Sequence, residues 1–360
     1  MRLIFKESSR FPSLKENYKF LEDALKRDEG TLRQSKIKNL IHIKRFHELL
    51  EPILKKYNVP VLMADVNKQK NLNNILFYRG GSPVYSLFTL TPGGQYINYN
   101  PFYHLWKNHK IDYDIVEKIQ HYDMNRYAQP KIEIKLPEKY DLFPLNLSNH
   151  LYGFSEHPSQ ININKNDHRY YFNRELSMIG RSRVERSMNK TNRLFEKKYV
   201  MPRDEWATRD AIKYATENKR YTIFKKSHVV TPNYIKKWSD FEKEGIINEF
   251  TIYTDANMDY LIQNSNFVYS SDSMSSFQAL VMEKPTATYY NTIISEIIPV
   301  IKTAKEMENI GKIKKEIKLR FLSWFYHKLS IDIYSQDAEE KIENIVKRFK
   351  NGERTKEIFS

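Results

Sequence analysis

The segment at residues 259–290 constrains the fold most strongly. It reads DYLIQNSNFVYSSDSMSSFQALVMEKPTATYY. Its pattern predicts a short amphipathic helix, a buried strand at Phe267–Tyr269 and a hydroxyl-rich turn. A helix over Phe277–Met282, a Lys-Pro stop and a second strand at Thr286–Tyr290 complete the segment. A strand, helix and strand in this order are typical of an α/β fold with a parallel sheet.

The serines of this turn form the best candidate site in the chain. Backbone N–H groups at the start of a helix have no partner within the helix, so they suit an anion such as phosphate. Ligands of α/β sheets also bind beyond the carboxyl ends of strands. We therefore predict phosphate binding here, with plain helix capping as the alternative. The predicted residues are Ser271, Ser273, Ser275 and Ser276.

Length and strand–helix alternation together predict two domains. A chain of 360 residues is too long for one ordinary core. We expect an α/β fold with two Rossmann-like domains facing an interdomain cleft, followed by C-terminal helices. The predicted boundaries are 1–138 for an N-terminal acceptor-binding α/β domain, 139–318 for a nucleotide-sugar-binding Rossmann-like domain and 319–360 for the terminal helices.

Positive charge is in excess. Lys and Arg total 59 against 44 acidic residues, which gives a net charge of +15. Two segments, Arg181–Lys198 and Lys302–Arg320, are rich in basic residues. Such surfaces attract polyanions and anionic membrane faces, although solvated helix faces would give the same composition.

Other features narrow the compartment and the class of protein. Cysteine is absent, the N-terminus is unlike a secretory signal, and no apolar run approaches the roughly 18 residues of a membrane span. We expect a cytoplasmic protein with peripheral contact at the inner membrane face. The chain lacks the phosphate loop, the dinucleotide fingerprint, the H-E-x-x-H zinc motif and the G-x-S-x-G elbow, so dehydrogenases and hydrolases rank low.

The C-terminal half resembles the second domain of GT-B glycosyltransferases, especially bacterial capsule-polysaccharide and Kdo transferases. The similar segments are Phe143–Asn146, Phe224–His228, Ser270–Thr288 and Phe321–Phe325. The chain departs from that pattern in two places. No proline follows His228, although a His157-Pro158 pair occurs elsewhere, and Tyr78–Gly81 replaces the acid-Gly-Phe element that supplies the family's candidate base.

This resemblance implies a nucleotide-sugar-dependent glycosyltransferase in cell-envelope polysaccharide synthesis. The donor would be a CMP- or UDP-sugar, and no further cofactor would be required. Besides the four serines, the residues expected to bind the donor are Lys225, Lys226, His228 and Glu283. Arg79, Gly80 and Gly81 are expected to bind the acceptor.

The catalytic residues are predicted to be Asp65 and His157. Asp65 ends a predicted strand and His157 follows the first strand of the second domain; a turn aspartate and a structural histidine are the alternatives. We expect no metal site, because the D-x-D spelling at Asp112–Asp114 lies at a predicted helix start.

Two other functions remain open on the sequence. One is a phage-type DNA glycosyltransferase acting on hydroxymethylated pyrimidines in duplex DNA, which the pI of 9.4 and the many aromatic residues would suit. The other is a basic binding protein that keeps the fold without catalysis. For either transferase, we expect the acceptor to be a polyanion, which is an envelope glycan or DNA.

Overall fold

The computed structural model describes residues 2–4, 42, 45–46, 48–58, 61–62, 75–79, 86–92, 105–122, 124, 129, 134–145, 203–226, 238–270, 275–289, 295, 297–353 and 355–360. The chain divides into two compact units. The first comprises Met1–Ala128, Ser177–Leu194 and Leu319–Ser360, and the second comprises Gln129–Leu176 and Phe195–Lys318. The C-terminal segment therefore belongs to the first unit instead of standing apart.

The first unit contains a five-stranded mixed sheet with the order β10-β4-β3-β1-β2. Strand β1 is parallel to β2 and β3, whereas β4 is antiparallel to β3 and β10. The strands are β1 (Arg2–Ile4), β2 (Val61–Leu62), β3 (Ile75–Arg79), β4 (Leu87–Pro92) and β10 (Ser330–Asp332).

Helices accompany this sheet. They are residues 48–56 (α1), Tyr113–Gln120 (α2), Lys315–Trp324 (α7), Ala338–Lys350 (α8) and Thr355–Phe359 (α9). Helix α7 begins in the second unit and continues into a π-helical turn at Phe325–Leu329. Phe46 stacks on Phe88 with ring centroids 4.4 Å apart, and both rings are fully buried. The prediction of helices alone over residues 319–360 is wrong in one respect, since strand β10 lies between α7 and α8.

The second unit contains a five-stranded sheet that is parallel throughout, with the order β7-β6-β5-β8-β9. Most of its strand residues are buried, as expected when helices cover a parallel sheet. The strands are β5 (Asp141–Pro144), β6 (Thr222–Lys225), β7 (Thr251–Thr254), β8 (Val268–Ser270) and β9 (Thr286–Thr288).

The helices of the second unit follow the strands in the predicted alternation. They are Arg203–Glu217 (α3), Trp238–Lys243 (α4), Met258–Asn264 (α5), Ser275–Val281 (α6) and a 3-10 turn at Ala304–Asn309. An aromatic core lies between sheet and helices. Phe143 contacts Phe224 and Tyr269 with centroids 5.6 and 5.3 Å away, and Trp238 packs 5.0 Å from Phe224.

A buried ion pair closes the amino edge of this sheet. Both carboxylate oxygens of Asp141 accept hydrogen bonds from Arg220, from Nε and from the second guanidinium nitrogen, each at 3.0 Å. The Arg220 guanidinium also lies over the rings of Tyr214 and Phe267. Burial raises the pKa of Asp141, and Arg220 acts against that rise.

Across the described residues, the helices are all too short or too polar to cross a bilayer.

Candidate functional site

The order of the parallel sheet defines where a ligand site is expected. In chain order the strands of the second unit run 3-2-1-4-5, so the connections leave the central strand β5 in opposite directions. This is the switch point of a doubly wound sheet, and ligands bind outside the carboxyl ends of the strands that flank it. The carboxyl ends of β5, β6 and β8 are Pro144, Lys225 and Ser270. We call this region the carboxyl edge.

Two serines at the carboxyl edge are hydrogen-bonded to each other. Ser270 ends β8 and Ser276 lies in the first turn of α6; both are fully buried, and their Oγ atoms are 3.0 Å apart. The Ser276 hydroxyl also lies 3.5 Å from the Ala287 carbonyl oxygen in β9. The Ser276 hydroxyl thus links α6 to the sheet, and its role in phosphate binding stays a prediction.

Ser275 is the partly exposed serine of the described part of this turn. It begins α6, directly after residues 271–274. Ser271 and Ser273 lie outside the described residues, so their role in donor binding stays a prediction. Helix α6 has seven residues, and a helix of this length contributes little macrodipole. Hydroxyls and cations at this edge would therefore add to the first backbone N–H groups of α6 in recognising an anion.

Two lysines supply positive charge at the same edge. Lys225 ends β6, its side chain is buried, and its Nζ donates to Asp255 Oδ1 at 2.6 Å. Burial lowers the pKa of Lys225, although Asp255 acts in the opposite direction. Lys226 follows, with its side chain half exposed and its Nζ 4.0 Å from Asp255 Oδ2. The half-exposed Lys226 ammonium is better placed to contact a ligand. The buried Lys225 ammonium contributes positive charge to the same edge without being exposed.

Asp255 was missed by the sequence reasoning. It follows β7, and it joins the ends of β6 and β7 through Lys225. The signal available in the sequence was its place just beyond the strand-like run Phe250–Tyr253, with Thr254 between. The predicted neighbour His228 lies outside the described residues.

Glu283 does not lie at the carboxyl edge, and its role in donor binding stays a prediction. Helix α6 ends in a Schellman turn, in which Lys284 N–H donates to Ala279 O and Glu283 N–H donates to Leu280 O. The Val268 N–H donates to Pro285 O at 3.0 Å, so this turn lies beside the first residue of β8. The turn is therefore at the amino edge of the sheet, because α6 runs antiparallel to β8.

The Glu283 side chain has a structural partner there. Its Oε1 accepts from Lys318 Nζ at 2.5 Å, and the Lys318 side chain is almost fully buried. The hydrogen bond and the charge of Lys318 lower the pKa of Glu283. The pair thus contributes stability above the unfolded-state pKa of the glutamate, and this contribution is lost as pH falls through the lower folded-state value.

We expect the variant Glu283→Gln to bind nucleotides with unchanged affinity. It should lower the free energy of unfolding by about 1 kcal/mol, since the lost ion pair is half exposed on the carboxylate side. Calorimetric nucleotide titration and urea unfolding measure the two effects. A large loss of affinity with unchanged stability would return Glu283 to the donor site.

Of the predicted acceptor-binding and catalytic residues, the structure describes Arg79 alone. Arg79 ends β3, where its backbone pairs with Thr89 of β4. Gly80, Gly81, Asp65 and His157 lie outside the described residues, so their roles stay predictions.

The D-x-D spelling has a structural explanation. Asp112 caps α2 by accepting from the Ile115 N–H at 3.2 Å, and its Oδ2 lies 2.8 Å from His327 Nε2. Within the described ranges, no cluster of three or more His, Asp or Glu side chains could hold a metal ion.

No protein-family model and no curated protein matches the chain. Two solved structures from Thermosulfurimonas dismutans KpsC are similar to it. The KpsC β-Kdo 2,7 transferase is 14% identical, covers 89% of this chain and 88% of its own, and superposes with a TM-score of 0.41. The KpsC β-Kdo 2,4 transferase is 11% identical, covers 69% of this chain and 71% of its own, and has a TM-score of 0.37. Likeness at this level carries no argument about activity.

Proposed function

We propose that the protein is a glycosyltransferase of GT-B type that transfers a sugar from a nucleotide-sugar to an acceptor hydroxyl in cell-envelope polysaccharide synthesis. One observation carries the proposal. The segments that resemble the GT-B transferases, Phe224–His228 and Ser270–Thr288, begin at strand ends on either side of β5. Lys225 and Ser270, at the ends of β6 and β8, therefore lie at the edge where doubly wound sheets bind ligands, which supports the proposal.

Sugar transfer from a nucleotide-sugar requires positive charge where the phosphate leaving group departs. The bond from the anomeric carbon to the donor phosphate oxygen breaks, and the electron pair stays on that oxygen. The acceptor oxygen forms the new bond to the anomeric carbon and gives its proton to a base. The Lys226 ammonium would stabilise the developing phosphate charge, and the hydroxyl of Ser275 would donate a hydrogen bond to it.

Lys225 and Asp255 would act as positioning residues in this scheme. The Lys225 ammonium is buried and held 2.6 Å from the Asp255 carboxylate. Burial of the Lys225 ammonium is energetically unfavourable. A phosphate bound nearby would add a second negative charge beside it, and the ammonium would therefore attract the phosphate more strongly. Asp65 and His157 are our candidates for the base. Their assignment rests on the sequence alone.

We expect a nucleotide of the correct base to raise the melting temperature of the protein. Ligands that bind the folded state stabilise it by mass action, by about 2.7 kcal/mol at a concentration of 100 Kd. A thermal-shift panel of CMP, UDP, GDP and their sugars identifies the donor class. A shift with CMP supports a Kdo-like donor, a shift with UDP alone supports another sugar, and no shift with any of them contradicts the proposal.

The acceptor is tested separately from the donor. With the donor identified, transfer to an envelope glycan fragment is compared with transfer to hydroxymethylated duplex DNA. Labelled product on the glycan alone supports our proposal. Product on DNA alone, with binding that weakens steeply as salt rises, would favour the DNA-modifying alternative instead.

A further inference from the structure

A basic stretch of the second unit lies away from the carboxyl edge. Residues 310–318 read IGKIKKEIK, with 310–314 outside helices and strands and 315–318 at the start of α7. The side chains of Lys312, Lys314 and Lys315 are exposed. We call these three residues, with Ile313 and Ile317, the lysine surface.

The charges around the lysine surface act on one another. Lys284 has its pKa lowered by burial and by the charge of Lys312. Lys315 and Lys312 also help to lower the pKa of Glu283, after the larger effect of Lys318. Residues 302–318 carry six lysines against three glutamates, which are Glu306, Glu308 and Glu316. The nearby Glu283 carboxylate is already bound by Lys318. Positive charge is therefore in excess, and an external anion would relieve the repulsion.

Apolar side chains lie among these lysines. Ile317 is 38% exposed and Ile313 is partly exposed. Lysines with interspersed isoleucines suit the interface of an anionic bilayer, where ammonium groups meet lipid phosphates and apolar side chains enter the headgroup boundary. A nucleic acid would use the charge but would gain little from the isoleucines.

The position of the lysine surface leaves the candidate nucleotide site free. Its neighbours Glu283 and Lys284 belong to the turn beside the first residue of β8, at the amino edge of the sheet. The carboxyl edge with Lys226 lies at the other end of the same strands. A membrane that contacts the amino edge would therefore not cover the carboxyl edge.

We infer that the lysine surface docks the protein on an anionic lipid bilayer through Lys312, Lys314 and Lys315, with Ile313 and Ile317 entering the headgroup boundary. Each lysine near such a surface strengthens binding about fivefold. The three together contribute roughly a hundredfold. The attraction is screened by salt. This inference does not depend on transferase activity.

Vesicle co-sedimentation of the full chain, without nucleotide, tests the inference. Vesicles of phosphatidylcholine with phosphatidylglycerol are compared with vesicles of phosphatidylcholine alone, at low and at high salt. We expect binding to the anionic vesicles at low salt. The variant K312Q/K314Q/K315Q should bind them about a hundredfold more weakly. Ile317→Ser should reduce binding by a smaller factor, most visibly at high salt.

A matched control removes the same number of positive charges elsewhere on the second unit. Lys213, Lys219 and Lys243 are exposed and lie on or directly after α3 and α4. The variant K213Q/K219Q/K243Q should keep most of the vesicle binding. A urea unfolding midpoint close to that of the parent chain shows that each variant is folded.

Three results would overturn the inference. Equal losses in the two triple variants would mean that net charge alone drives binding. Equal binding of the parent chain to neutral and anionic vesicles would remove the role of the lysines. Binding of duplex DNA or an acidic polysaccharide through the same lysines, without vesicle binding, would assign the surface to a different partner. A failed nucleotide panel would leave all of these outcomes unchanged.

Discussion

Replacing Lys226 by methionine is expected to lower kcat for sugar transfer by about 100-fold. The side chain is half exposed directly after β6, and its Nζ lies 4.0 Å from the Asp255 carboxylate. Its charge is therefore available for the leaving phosphate, while its removal leaves no buried charge without a partner. We expect the melting temperature to change little. Steady-state kinetics with the identified donor, together with a thermal melt, measures both effects.

The matched control is Lys243→Met. Lys243 is also exposed and lies at the end of α4. This variant should keep the kcat of the parent chain. If Lys226→Met transferred sugar as fast as Lys243→Met, the leaving group could not depart at the end of β6.

Replacing Arg220 by methionine is expected to lower the free energy of unfolding by about 3 kcal/mol. The Asp141 side chain is 2% exposed and loses both of its charge-assisted hydrogen bonds in this variant. This expected loss is at the lower end of the range for breaking a buried ion pair, because a third of the Arg220 side chain is exposed. Urea unfolding measures the loss. The double variant Asp141→Asn with Arg220→Met should recover part of it, because no buried carboxylate then remains without a partner.

The same variant should show an altered pH dependence. Burial already raises the folded-state pKa of Asp141 above its usual value, and loss of Arg220 should raise it further. Protonation then favours the folded state, so this contribution is greatest below the unfolded-state pKa and is lost as pH rises through the folded-state value. Arg220→Met should therefore regain stability on mild acidification. If acidification instead changed the free energy of unfolding of Arg220→Met in the same way as that of the parent chain, Asp141 would not be the group responsible.

Local pattern was sufficient for the described part of the segment at residues 259–290. The segment that opens with Asp259 folds as predicted, with α5, β8, α6 and β9 in that order. Each of these elements is set by short-range signals: apolar strand residues, a run of serines before a helix, and a proline that prevents the helix from continuing. The parallel order of the strands follows from their alternation with helices.

The elements that were missed depend on distant partners. Strand β10 has three residues, and Ile331 pairs with Phe88 of β4, far away along the chain. No local pattern distinguishes so short a strand from the end of a helix. The surroundings of Glu283 also depend on a distant partner. The resemblance to GT-B transferases implied a donor-binding role for Glu283, whereas α6 carries the chain across the sheet and brings Glu283 to Lys318.

The central claim is that the carboxyl edge of the second sheet, not its amino edge, receives the phosphate of the donor. Calorimetric titration of the best-binding nucleotide into Lys226→Met and Glu283→Gln tests it most directly. We expect the Kd to rise about tenfold for Lys226→Met, from the loss of one charge-assisted contact, and to stay unchanged for Glu283→Gln. The opposite result, weak binding by Glu283→Gln and parental affinity in Lys226→Met, would contradict the account.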